Sequence, residues 1–417
     1  MNEVGHGRCH PTRVPLWKLD QTNWPSFTSL FELDPAIVCL PSVDDCVVAV
    51  SDSIVQAAAC FIPKTSTCFP WIPEEIATLL DEDVQDNCLE AKTNVVFLKT
   101  HKAASSSIQN IFMRYGDTHD LLFVLPYYGN YFGHPQQFHH SMAPRLKPSA
   151  GKTHYNIFTH HTRFNYGELK RLMPKNTIFV TILRDPAELF ESLYSYYSLE
   201  NLYNESILTI GFNTSKKVLD RRYGGKIGRN QMSFDLGLSP SRFFNVITIE
   251  QFAQKLDKEF DLVMIAEQMD KSLILLKNLL CWSIDDVVIF KLNARSDKFV
   301  KPITADIRQR LQEINSADQV LYNFFKKRLA EKIHEFGKRK IVASVKKLKK
   351  RRQEWFNYCV QGENLLINTE EAKKVYYANP KVMKLKPKED NVTCKKMTDQ
   401  ELYYTNKLRK KQKLWVM

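Results

Sequence analysis

Residues 94–113 read NVVFLKTHKAASSSIQNIFM, and the fold turns on them. NVVFL is a short run of apolar and β-branched residues, which predicts a buried strand. Beyond it Ile108, Ile111, Phe112 and Tyr115 recur at helical spacing, which predicts a helix over SSIQNIFMRYG. A strand feeding a helix through a small, hydroxyl-rich loop presents backbone N–H groups and the positive end of a helix dipole to an anion. Lys102 adds a full charge there, and Ser105, Ser106 and Ser107 add hydroxyl donors. The loop has no glycine, GxxxxGK[ST] is missing, and no clear acidic Mg²⁺ ligand stands on a following strand. A nucleoside-triphosphate P-loop therefore does not fit.

The flanking sequence repeats the alternation. NIFTHH (156–161) predicts a second strand, FNYGELKRLM a helix stopped by Pro174, TIFVTIL a third strand apolar on both faces, and AELFESLYSYYSLE the helix after it. Later come a helix around Ile249–Leu256, a strand FDLVMIAE, a helix KSLILLKNLLCW and the apolar segment DVVIFKLNA. Residues 123–150, rich in Pro, Tyr, His and Gly, read as a loop, and the basic tail from about Ile303 to Arg352 reads as helical. The fold class is α/β, a central parallel sheet flanked by helices. Residues 1–91 lack periodicity and read as an irregular extension, leaving 92–417 as the folded domain.

With 417 residues, 44% of them apolar, the chain has material for a large core. Its net charge of +13 suits anionic partners. Most of that charge is local, because Lys326–Arg352 holds 13 Lys and Arg against Glu331 and Glu335. The run lacks aromatic interleaving, and on a helix Ile341, Val345 and Leu348 share one face, so it reads as a solvated amphipathic helix and not as a nucleic-acid site. The nine cysteines include no CxxC and no zinc spacing, so no metal is expected. Cys281, in the apolar LLKNLLCW, reads as a buried free thiol. Sequons stand at Asn204, Asn213 and Asn391. No uncharged run of about 18 residues is visible, since Asp44, Asp45 and Asp52 interrupt the most apolar N-terminal stretch.

The second decisive motif is LRDPAELFES. Arg184 leaves the third strand and Ser192 stands two turns along the next helix, so the pair can meet on one phosphate. One loop for one phosphate and an Arg/Ser pair for another describe a nucleotide phosphorylated at both ends. These two motifs, together with HHTRFN, LMPKNTIFVTILRDPAELFES, FDLVMIAEQMDKSLILLKNLLCW and DVVIFKLNAR, resemble the galactose-3-O-sulfotransferase family from about Lys92 to the C-terminal KLWV.

The resemblance implies a P-loop-like sulfotransferase fold. It implies transfer of sulfate from 3′-phosphoadenosine 5′-phosphosulfate to the 3-hydroxyl of a terminal β-galactose, on a glycolipid of galactosylceramide type or on a glycoprotein glycan. Lys99, Thr100, Lys102, Ala103, Ser105, Ser106 and Ser107 then form the 5′-phosphosulfate loop, with Lys102 on the transferring group, while Arg184 and Ser192 hold the 3′-phosphate. The base that takes the hydroxyl proton is a histidine. His161 is first, by analogy with uronyl sulfotransferases, His101 second, and His160 reads as structural. Arg163 and Arg295 either add charge to the pocket or serve in ion pairs; Asn230 and Asp235 either reach the acceptor or form a buried turn. Cys359 and Cys394 match a family disulfide. Family members sit in the Golgi membrane with a lumenal domain, so the expectation is that a longer or alternative N-terminus carries an anchor. The rival readings are sulfation at another sugar position, a P-loop kinase, and an inactive basic binding protein of the same fold.

Overall fold

A computed structural model describes residues 90–147, 151–212, 214–295, 300, 302–361, 365–366, 383–388, 391–413 and 415–416. The expectation for 1–91 thus falls almost wholly outside the described residues, and so does Asn213 of its sequon.

The first strand, β1 (Val95–Leu98), runs into α1 (Ser105–Thr118). Next come β2 (Phe123–Val124), β3 (Ile157–Phe158), α2 (Tyr166–Leu172) and β4 (Ile178–Leu183). α3 (Pro186–Tyr197) starts at the N-cap Asp185, whose carboxylate accepts from the Ala187 and Glu188 N–H groups, with Pro186 in the first turn. Two short helices, α4 (Glu200–Tyr203) and α5 (Lys216–Leu219), precede α6 (Gln231–Asp235), α7 (Val246–Glu259), β5 (Leu262–Ile265) and α8 (Met269–Leu280). The five strands form one parallel sheet in the order β2-β3-β1-β4-β5, in register Val95↔Ile157, Val95↔Ile178 and Val180↔Leu262. Every residue of β1 and β5 is buried, as strands covered on both faces require. From β1 the chain leaves toward β2 and β3 on one side and toward β4 and β5 on the other. The carboxyl ends of β1 and β4 therefore flank a topological switch point, where open α/β sheets place their sites.

Three differences from the sequence reading have physical causes. The stretch 123–150 opens with β2, two residues at the head of a run rich in Pro, Tyr, His and Gly that reads as a loop. The basic tail is three helices, α9 (Ala305–Ile314), α10 (Ser316–Phe336) and α11 (Lys338–Cys359), separated at Asn315 and at Gly337, which has φ 101°. In α11 Ile341 and Leu348 are buried and Val345 half-buried, and the helix packs against α8, where Arg352 meets Asp270 at 2.5 Å. Cys281 is disulfide-bonded, not a free thiol. It sits past the buried turns of α8, half-buried at the C-cap with φ 58°, where the chain turns outward.

Beyond α11 lie a two-stranded antiparallel ribbon, β6 (Leu365–Leu366) with β7 (Met383–Lys384), then α12 (Val392–Thr398) and α13 (Glu401–Gln412), both packed on α1. No helix among the described residues is long and apolar enough to cross a membrane.

Candidate active site

The loop after β1 is fixed by its own side chains. The Thr100 hydroxyl donates to the Ile182 carbonyl at 2.6 Å, the Ser105 hydroxyl donates to the Thr100 carbonyl at 2.5 Å, and the Ser107 hydroxyl accepts from the Leu292 N–H at 3.1 Å. Lys102 and Ala104 both take positive φ, 56° and 59°. Ala104 is the N-cap of α1 and has no side chain to close the helix, and no acidic residue stands in the first turn. The N-terminus of α1 thus keeps backbone donors and dipole available to an anion. Ala103 is buried under the loop.

Arginines from the end of β4 and beyond close on this loop. Arg184 donates to the Lys102 carbonyl at 3.0 Å and stands 3.6 Å from Glu188. Arg295 forms a two-pronged pair with Glu191, at 2.9 and 2.6 Å. Burial, then the nearby Arg184 and Arg295 guanidiniums, pull the Lys102 ammonium down to about 7, with its Nζ 4.0 Å over the Tyr196 ring. Three cations crowd the site, with Glu191 against Arg295 and Lys102 and Glu188 against Arg184. That arrangement fits a polyanionic ligand. Ser192 is buried on α3.

Beside the cations lies a stack of imidazoles. His101 and His161 are 4.2 Å apart and nearly parallel, and Tyr131 lies 4.9 Å from His161. Asp235, fully buried on α6, accepts from the His101 backbone N–H at 2.8 Å and from its Nδ1 at 2.8 and 3.0 Å. Burial opposes ionisation of Asp235, but His101 and His134 outweigh it and hold the carboxyl well below the usual carboxylate range. A carboxylate only accepts, so the His101 proton sits on Nδ1, and Nε2, 2.9 Å from the Tyr131 hydroxyl, carries the lone pair. His161 Nδ1 faces the Lys99 carbonyl at 3.0 Å and must donate there. Burial, then His101 and Lys99, hold His161 well below the usual imidazole value, so it is neutral near pH 7. His160 is turned away: its Nε2 meets the Thr405 hydroxyl at 3.0 Å, and burial holds it at about 3. The ligand atoms of His101, His134 and Asp235 all lie within 4.8 Å, close enough for a cation to bridge, although His101 Nδ1 already carries a proton toward Asp235.

Other residues singled out from the sequence lie elsewhere. Arg163 donates to the carbonyls of Phe234, Pro135, Gly237 and Leu238, which ties it to backbone. Asn230 is buried at a positive-φ position, its N–H held by Asn315 at 2.7 Å. Lys99 is buried in an ion pair with Glu401, and the Ser106 hydroxyl reaches the same carboxylate at 3.5 Å. Cys359 and Cys394 form a disulfide. Asn204 is exposed, and Asn391 caps α12 through its side chain.

Sequence reasoning missed Glu401, Tyr131 and His134. Burial opposes ionisation of Glu401, but Lys99 outweighs it and holds the carboxyl low. Glu401 is 302 residues from Lys99, and no local pattern links the two. The HPQQFHH stretch after Tyr131 was a usable signal, since its histidines cluster close to the predicted site loops.

Comparison with known proteins points to one family. Residues 55–412 match the galactose-3-O-sulfotransferase family profile, a match that begins ahead of Lys92. Human galactosylceramide sulfotransferase is 34% identical over 303 residues, covering 71% of each chain. Human galactose-3-O-sulfotransferase 2 is 31% identical over 332 residues, covering 76% of this chain and 83% of its own. Human galactose-3-O-sulfotransferase 4 is 29% identical over 407 residues, covering 77% and 83%.

Proposed function

The chain belongs to the galactose-3-O-sulfotransferase family, and from that premise we propose that its donor is 3′-phosphoadenosine 5′-phosphosulfate and its acceptor the 3-hydroxyl of a terminal β-galactose. It is a carbohydrate sulfotransferase. The observation that carries the donor reading is the meeting of Lys102, Arg184 and Arg295 at the uncapped N-terminus of α1, beside the His101–Asp235 pair. The 5′-phosphosulfate belongs over Lys102 and the first turn of α1, with the loop residues Lys99, Thr100, Ala103, Ser105, Ser106 and Ser107 shaping it. The 3′-phosphate belongs to Arg184 and Ser192.

The acceptor oxygen attacks sulfur, the sulfur–oxygen bond to the 5′-phosphate breaks, and the hydroxyl proton passes to a histidine. Lys102 and Arg184 offset the charge gathering on the leaving phosphate. The base in this reading is His101, because the imidazolium it forms faces the Asp235 carboxylate. Its Nε2 opens when the Tyr131 hydroxyl turns away from it. His161, first in the sequence reading, keeps a second claim: its Nε2 lacks a proton and has no hydrogen-bond partner among the described residues. The two are separated by pH–rate profiles with donor binding as a control. His101→Ala loses kcat and the acidic limb while the donor still binds; the same outcome for His161→Ala, with His101→Ala active, reverses the roles.

A thermal shift with adenosine 3′,5′-bisphosphate, and none with ATP–Mg²⁺, separates this function from a kinase. Turnover on an acceptor panel separates it from an inactive binding protein and from sulfation at another sugar position. The acceptors are galactosylceramide-like glycolipids or glycoprotein glycans, by analogy with the named relatives. The Cys359–Cys394 disulfide and the exposed Asn204 sequon support folding in the Golgi lumen against a membrane that presents such acceptors.

A further inference from the structure

Residues 221–227 read RRYGGKI and form a tight hairpin. Tyr223 and Ile227 exchange two backbone hydrogen bonds, at 2.7 and 3.1 Å, and the Lys226 N–H closes the turn on the Tyr223 carbonyl at 3.0 Å. Gly224 and Gly225 have φ 57° and 71°, the paired left-handed positions that a primed hairpin turn needs. The base of the hairpin is pinned by Arg222. Its guanidinium donates to the Arg229 carbonyl at 2.8 Å and to Gln231 Oε1 at 2.7 Å, and lies 3.8 Å over the Phe234 ring. Gln231 in turn donates to Asp235 at 2.8 Å. The hairpin is therefore rooted in the carboxylate that holds His101.

What it presents is aromatic. Tyr223 is 52% exposed and lies 6.0 Å from Tyr197. Tyr197 is near enough to Tyr131 for the two hydroxyls to influence one another's ionisation, and Tyr131 meets His101 Nε2 at 2.9 Å. Tyr196, under Lys102, is 4.9 Å from Tyr197. A row of rings thus leads from solvent to the base and to the donor lysine. The Lys226 ammonium sits 5.1 Å over the Tyr131 ring, with no carboxylate in ion-pair range among the described residues.

We propose that this hairpin recognises the acceptor, with Tyr223 stacking on the apolar face of the galactose ring and Lys226 donating to its hydroxyls. The axial 4-hydroxyl of β-galactose leaves the C3, C4 and C5 hydrogens together on the opposite face, a surface complementary to a tyrosine ring. The ligand class is a neutral β-galactoside, and the inference rests on the sulfotransferase reading above.

The test uses the full chain, methyl β-galactoside and lactose as soluble acceptors, and galactosylceramide in phosphatidylcholine vesicles. Tyr223→Ala raises the KM for every acceptor by roughly three- to tenfold, the range of one lost aromatic contact, and leaves the donor KM within twofold. Tyr223→Phe restores the acceptor KM. With adenosine 3′,5′-bisphosphate bound, saturation-transfer NMR shows H3, H4 and H5 of methyl β-galactoside closest to the protein, and Tyr223→Ala loses that pattern. An unchanged acceptor KM in Tyr223→Ala overturns the inference. So does an effect confined to vesicles, which makes the hairpin a bilayer contact. If wild type transfers sulfate to no galactoside, the function itself fails, and the NMR arm still decides whether Tyr223 touches the sugar.

Discussion

Lys102 makes donor binding pH-dependent in a way that can be worked out beforehand. In the free protein its ammonium is pulled down to about 7, by burial first and by Arg184 and Arg295 next. A phosphosulfate placed over it supplies the missing counter-charge, so the bound state keeps the proton well above pH 7. The sign follows: the group's pKa is higher when bound, so affinity is full below pH 7 and falls as pH rises through it. For a free-state value near 7 and a bound value above 10, affinity drops about 20- to 25-fold between pH 7.5 and 9, and binding at pH 7 takes up about half a proton. The assay is calorimetry of 3′-phosphoadenosine 5′-phosphosulfate without acceptor, repeated in buffers of different ionisation enthalpy. Lys102→Met binds weakly but with a flat profile over the same range. A wild-type affinity constant from pH 7.5 to 9, with no proton uptake at pH 7, would refute both the electrostatic argument and the placement of the donor over Lys102.

Three further outcomes follow from the geometry. Asp235→Asn lowers kcat by about 10²-fold or more and moves the acidic limb of the pH–rate profile down by roughly one to three units, because the imidazolium loses its carboxylate; donor affinity, read by thermal shift, stays. Glu401→Ala leaves the buried Lys99 ammonium without a partner and lowers the urea-unfolding free energy by about 3–5 kcal/mol. Cys394→Ser opens a loop of sequence separation 35 and costs up to about 4 kcal/mol, read as a lower denaturation midpoint in the oxidised protein.

The sheet was legible because β1, β4 and β5 are continuous apolar runs and each is followed by a helical period. β2 was hidden because it opens a stretch rich in Pro, Tyr, His and Gly that reads as a loop. The anion loop was legible because Lys102 and three serines sit between a clear strand and a clear helix. Arg184 was legible for the same reason at the end of β4. The partner of His101 was harder. Asp235 lies 134 residues away, on a five-residue helix, and its sequence context RNQMSFDLG is equally that of a buried turn. His161 came first by analogy with uronyl sulfotransferases, since nothing in the sequence ties Asp235 to His101. Cys281 was misread because the left-handed cap that turns it out of α8 has no signature in LLKNLLCW. In each case the missing information was a contact between distant segments.

The ion pair between Lys99 and Glu401 also bears on how the protein is made. The anion loop is synthesised 302 residues before the acid that neutralises its buried lysine. At roughly 5–20 residues per second, a ribosome takes about 15 to 60 seconds to cover that distance. Throughout that interval the sheet can assemble, but Lys99 has no counter-charge to be buried with. A premature stop between the end of α11 and codon 401 therefore yields a chain with most of its core and an unstable active-site loop. Such products are candidates for retention by folding surveillance, and a nonsense change just ahead of the final helix should behave as a complete loss.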